Sequence, residues 1–104
     1  MIKKIKIGSI TYKVMYHDQL LDEDDNPLNG QIDFDELIIH MDKSLKKELN
    51  KVILIHECIH GILNNAGQED HDEQYINIIS YGIMDLIKNN KSFIRYLMDE
   101  KNEQ

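Results

Sequence analysis

Lys51-Val-Ile-Leu-Ile-His56-Glu57-Cys58-Ile59-His60-Gly61-Ile62-Leu63 is the stretch from which the rest of the chain is best read. It contains H-E-x-x-H as His56, Glu57 and His60. On a helix, two histidines four residues apart project from one face and can share a metal ion. The glutamate between them lies close enough to take a proton from water at that ion. The pattern is short: with five His in 104 residues, random placement yields it in roughly 2% of such chains. The setting therefore matters. Apolar runs on both sides, Val52 to Ile55 and Ile59 to Leu63, bury such a helix and hold its ligands rigidly. The plainer reading is two buried, hydrogen-bonded histidines.

Two histidines do not complete a zinc site, because catalytic zinc usually takes three protein ligands and keeps one position for water. The three-histidine version, H-E-x-x-H-x-x-G-x-x-H, needs Gly at position 63 and His at position 66, where this chain has Leu63 and Ala66. The third ligand is then sought downstream among His71, Asp72 and Glu73, with Glu69 and Asp70 behind them. Glu73 is preferred. Asn77, Ser80 and Met84 follow it on the same helix face, and the first two offer hydrogen bonds around a metal cluster. Its rival role is in a capping box, Asp70-x-x-Glu73, where it only satisfies a backbone N–H. His71 or Asp72 as the ligand stays open.

Working outward, Leu45, Leu49, Val52, Ile55, Ile59, Ile62 and Leu63 fall at three- and four-residue spacings. That predicts a helix from Lys43 to about Ala66, with Asp42 as N-cap and Gly67 as terminator. A second helix is expected from Asp70 or Asp72 to Lys88, with Ile76, Ile79, Ile83 and Ile87 as its apolar stripe. Asn89-Asn90 breaks it, and Ser92 is placed to cap a short helix through Met98. Residues 99–104 read as a frayed tail.

Upstream the period changes to two. Ile2, Ile5 and Ile7 are interleaved with lysines, Gly8-Ser9 turns the chain, and Ile10, Tyr12, Val14 and Tyr16 alternate with Thr11, Lys13, Met15 and His17, which predicts a hairpin. Gln31 to Phe34 and Leu37 to Met41 read as two more short strands around an Asp35-Glu36 turn, with His40 as an exposed strand-end histidine. Between the pairs, Asp18 to Gly30 is acidic. Asp22, Asp24, Asn26 and Asp33 have calcium-loop spacing, but Pro27 occupies the position that needs glycine, so the segment is a solvated loop. The fold class is α+β: about four mostly antiparallel strands with helices on one face.

Length bounds the chain to one domain, 1–104. The net charge of −7 argues against sequence-independent nucleic-acid binding. No stretch has the length and apolarity of a membrane span, and the alternating start lacks a signal-peptide core, so a cytoplasmic location is expected. Cys58, the one cysteine, reads as a small apolar filler rather than a reactive thiol or further ligand.

In the order of its parts the chain resembles a family. Gly8-Ser-Ile-Thr-Tyr12-Lys-Val, Asn29-Gly30-Gln-Ile-Asp33 and Leu37-Ile-Ile-His lead into the H-E-x-x-H segment. Glu73-Gln-Tyr-Ile-Asn77-Ile-Ile-Ser80-Tyr-Gly82-Ile follows it. The run from about Ile5 to Ile87 is similar to small phage and bacterial zincin-fold proteins related to the ImmA/IrrE metallopeptidases, and in size to the minigluzincins. The resemblance implies a minimal zincin fold, a twisted sheet over an active-site helix with a second helix supplying a Glu ligand. His56 and His60 match the paired ligands, Glu57 the general base and Glu73 the downstream Glu. In those relatives the Glu directly precedes an Ala-Asn pair, whereas here Asn77 lies four residues on.

The function expected is a Zn2+-dependent endopeptidase. Glu57 takes a proton from water and passes it to the leaving amine. The peptide or protein substrate adds as an extended strand to the sheet edge along Leu37 to Met41. Tyr75 and Tyr81 are the nearby phenols for an oxyanion, each with a bland reading as core or helix surface. The alternative is a non-enzymatic, zinc-stabilised binding or regulatory module. A metal-free remnant of the fold is a third reading. A free Glu57 carboxylate beside an open metal position marks the enzyme, and a fourth protein ligand marks the structural site.

Overall fold

The computed structural model describes residues 1–99. Its order is β1 (Lys4–Ile7), β2 (Ile10–His17), β3 (Gly30–Asp33), β4 (Ile38–Asp42), α1 (Lys47–Asn65), α2 (Glu73–Asn89) and α3 (Lys91–Met98). The architecture is α+β, a four-stranded mixed sheet with three helices.

The two-residue period of the N-terminal half becomes two hairpins. Gly8, at φ +62, makes the turn between β1 and β2 with no Cβ to strain it. Between β3 and β4, the Asp33 carboxylate accepts from the N–H groups of Asp35 and Glu36 at 2.9 Å each. The strand order is β1-β2-β4-β3, and β4 runs parallel to β2. Leu37 to Met41 is therefore not the expected free edge: β4 is paired on both sides, and the edge strands are β1 and β3. Periodicity marks which face of a strand is apolar but carries no information about which strand lies beside it, so the parallel join could not be anticipated.

In the connection from β2 to β3, the Asp22 carboxylate accepts from the N–H groups of Asp24 (2.8 Å) and Asn26 (2.9 Å). Leu21 and Pro27 form an isolated bridge. The loop is thus closed by its own Asx turn.

Ile7, Tyr12, Val14, Ile39 and Met41 form the buried inner face of the sheet, with Ile53, Leu54 and Cys58 of α1 packed against it. Gly61 permits the close approach: a Cβ there would lie 2.7 Å from Cδ1 of Ile7 and 3.3 Å from that of Ile32. The helix begins later than its apolar spacing suggests. Asp42 does not cap it, because its carboxylate accepts from the Ser44 N–H (2.8 Å), the Ser44 hydroxyl (2.5 Å) and the Leu20 N–H (3.2 Å). Lys46 remains extended, and α1 starts at Lys47 without a side-chain cap. Its far end is as expected. Gly67 takes φ +81, its N–H donates to the Asn64 carbonyl (3.0 Å) and that of Gln68 to the Leu63 carbonyl (2.9 Å), the two bonds of a Schellman motif.

α2 lies against α1 and buries Ile76 and Ser80. Its inward stripe is Ile76, Ser80, Ile83 and Met84, while Ile79 and Ile87 are exposed, as is Ile62 on α1. The expected isoleucine stripe is thus turned by about one residue. Ser80 fits the buried position because its hydroxyl donates back to the Ile76 carbonyl at 2.6 Å. Asn90, not Ser92, precedes α3; the Ser92 hydroxyl accepts instead from Arg95 at 3.3 Å. Of the expected frayed tail, residues 100–104 lie outside the described residues. Among the described residues, no helix is long and apolar enough to cross a membrane.

Candidate metal centre

One turn of α1 separates His56 from His60, and α1 is wedged between the sheet and α2, so both side chains are largely buried, at 12% and 11% exposed. Their Nε2 atoms converge on one carboxylate. His56 Nε2 is 3.0 Å from Oε1 of Glu73, and His60 Nε2 is 3.0 Å from Oε2. Glu73 is delivered by the start of α2. Asp72 is the N-cap, its Oδ1 accepting from the N–H groups of Gln74 (3.0 Å) and Tyr75 (3.2 Å). That leaves the carboxylate one residue later free to reach back to α1.

One ligand atom from each of His56, His60 and Glu73 lies within 4.8 Å of the others, so the three could hold a metal ion. Two imidazole nitrogens and one carboxylate oxygen are the donor set that suits a borderline divalent cation. The polar arrangement fits as well. Both oxygens of one carboxylate are engaged by two buried imidazoles, so a cation at their meeting point would neutralise Glu73 and use lone pairs on all three groups.

The remaining candidates sort clearly. The capping role foreseen for Asp70 with Glu73 belongs to Asp72, whose carboxylate is spent on backbone N–H groups. Glu69 and Asp70 are exposed and outside the cluster. His71 is not in it either: its Nδ1 lies 2.7 Å from Nδ1 of His60, the nitrogen turned away from Glu73. Ser80 bonds to its own helix, and Asn77 is exposed, so neither gives the expected support to Glu73.

Glu57 is buried beside this group. Burial is the main cause that pushes its carboxyl up to about 7; the charge of Glu73 adds to the rise and the Ile32 backbone N–H opposes it. Gly30 on the edge strand makes room for it, since a Cβ there would lie 2.7 Å from Cγ2 of Ile53 and 3.3 Å from Oε2 of Glu57. The result is a cleft of about 360 Å³, walled by Gly30 to Ile32 on one side and by His56, Glu57, His60 and Glu73 on the other. Tyr75 and Tyr81 do not line it and are 65% and 55% exposed. Cys58 packs on the core, and burial pushes its thiol up, so it is the apolar filler expected.

Sequence reasoning missed a second pair. His17 Nε2 and His40 Nδ1 meet at 2.8 Å on the face of the sheet away from α1. His40 is half-buried, not an exposed strand end, and burial, followed by the neighbouring His17, holds it below the usual histidine range. Only the parallel register of β2 on β4 brings the two together. Among the described residues, no acid or cysteine joins them in a group of three.

Comparison with family models, with curated proteins and with solved structures gives no match, so the site speaks through its own residues.

Proposed function

We propose that the chain is a metal-dependent peptidase, with His56, His60 and Glu73 holding a zinc ion and Glu57 acting as general base. The observation that carries this reading is the division of labour in the cleft. Three side chains converge as ligands, and a fourth, Glu57, is buried beside them without being one of the three. A purely structural zinc site would be expected to close with a fourth protein ligand, and none joins the group among the described residues.

When bound, zinc acidifies water and polarises the carbonyl of the bond to be cut. Glu57 takes the water proton as the oxygen adds to the carbonyl carbon, then delivers it to the amide nitrogen as the C–N bond breaks. Its carboxylate is buried in the wall of the cleft beside the three proposed ligands, where it can take and return that proton. The free edge of β3 borders the cleft, and an extended peptide pairing there would present its backbone to Glu57. This puts the substrate strand on β3, in place of the Leu37 to Met41 edge expected from sequence. The sheet over α1 and the Glu at the start of α2 support the minimal zincin fold that the resemblance implies.

The test is Glu57→Gln in a peptide-library cleavage assay with zinc-loaded protein. Cleavage should fall by at least about 10²-fold with zinc stoichiometry unchanged; undiminished cleavage would refute the mechanism. The second reading, a zinc-stabilised binding module, is favoured by the modest cleft. It predicts bound zinc with no cleavage by the wild type.

A further inference from the structure

His71 lies close to the metal group, but on the wrong side of His60 to bind the ion. Its Nε2 is 2.6 Å from the Gln68 carbonyl oxygen, and its Nδ1 is 2.7 Å from Nδ1 of His60. The ring centroids lie 4.9 Å apart and the planes 28° apart, so the rings meet edge to edge as an N–H···N bond requires. These contacts restrict the protons to two arrangements, one with a neutral His71 and one with a cationic His71. A carbonyl only accepts, so His71 Nε2 carries a hydrogen. A neutral imidazole then has its lone pair on Nδ1, which accepts the hydrogen on Nδ1 of His60. That leaves His60 Nε2 bare, facing Oε2 of Glu73 at 3.0 Å. Two acceptors face each other there, an arrangement that a cation between them relieves.

Resting on the metal-centre reading above, we propose that His71 is a positioning residue that locks His60 in the tautomer offering Nε2 to the metal. The chain of support runs back into the end of α1. Gln68 is fixed because its N–H donates to the Leu63 carbonyl at 2.9 Å, in the turn that Gly67 makes possible at φ +81. One short connection between the two helices thus closes α1, supplies the carbonyl, carries His71 and then caps α2 through Asp72. His56 has no such support: its Nδ1 is buried without a partner among the described residues. The orientation of the site is therefore fixed at His60, and His56 follows through the helix they share. In the opposite proton arrangement His71 would be a cation donating from both nitrogens, and His60 would carry its hydrogen on Nε2, the wrong side for a ligand.

Two measurements test this. Zinc affinity, by competition with a chromogenic chelator, should fall about 10–100-fold in His71→Ala and His71→Phe. His71→Asn, whose side-chain oxygen can accept from His60 Nδ1, should stay within a few-fold of wild type. Unchanged affinity in the Ala and Phe variants would overturn the proposal, as would a loss in the Asn variant as deep as in Ala. The second measurement needs no variant. Histidine 15N NMR of the zinc-loaded wild type should show His71 as the neutral Nε2–H tautomer, with a coupling across the hydrogen bond between the two Nδ1 atoms. A doubly protonated His71, or no coupling, would overturn it. Wild type that takes up no zinc fails the metal-centre reading as well; wild type that binds zinc indifferently to His71 fails this proposal alone.

Discussion

Tyr12 shows how a single residue can be well packed and still imperfect. Its side chain is fully buried, 0% exposed, in the centre of the sheet's inner face, yet its hydroxyl has no hydrogen-bond partner among the described residues. A buried unpaired hydroxyl costs more than its removal, because the phenyl ring alone keeps the packing. Tyr12→Phe is therefore expected to raise stability by about 1 kcal/mol, read as a higher denaturation midpoint with an unchanged slope. Asp42 works in the opposite sense. Bonds from the Ser44 hydroxyl, and then from the Ser44 and Leu20 N–H groups, hold its carboxyl below the usual range. A carboxyl depressed by folding contributes stability that is complete above its unfolded value of about 3.9 and is lost as pH falls through the folded value. Asp42→Asn should thus lower Tm at neutral pH, and the gap from wild type should close on acidification below about pH 4. The residue-level legibility of the site was uneven. His56, Glu57 and His60 are neighbours on one helix, so their convergence follows from spacing alone. Glu73 could be preferred but not fixed, because cap and ligand are both roles for an acid at a helix start. Asp72 takes the cap, which leaves the Glu73 carboxylate free beside the two histidines.

At the scale of elements, two glycines decide how α1 is placed and ended. Gly30 lets the edge strand pass over Ile53 and Glu57, and Cγ2 of Ile53 is a branch at Cβ with little freedom to move. Gly30→Val should destabilise the fold by about 1–3 kcal/mol, measured by chemical denaturation, and should narrow the cleft. Gly67 has open space around it, nothing lying within 4 Å of a Cβ there, so its requirement is conformational alone. Gly67→Ala should cost about 1 kcal/mol. These elements were readable to different depths. The end of α1 was legible because a Schellman turn has a local signature, glycine after the last apolar residue. Its start was not, since Asp42 caps a turn to Ser44 that offers the same side chain a nearer set of donors. The partnering of β4 with β2 was not legible either, and with it went the true sheet edge and the His17–His40 contact.

For the whole molecule, the proposed metal site would tie together the two parts that the sequence separates most clearly. His56 and His60 belong to the helix on the sheet, and Glu73 belongs to the helix outside it, with α1 and α2 joined by an open connection of polar residues. An ion shared among them binds only the folded state, so it should stabilise by mass action, about 2.7 kcal/mol at a free concentration one hundred times Kd. Stripping the metal with a chelator should accordingly lower Tm, and returning zinc should restore it, with Glu73→Ala insensitive to both. Everything proposed for the cleft turns on where the ion sits. Anomalous scattering from crystals of the zinc-loaded protein, collected at the zinc edge, locates it directly. One ion per chain among His56 Nε2, His60 Nε2 and the Glu73 carboxylate is the predicted result; no stoichiometric ion, or one bound at His71 or between His17 and His40 instead, would contradict it.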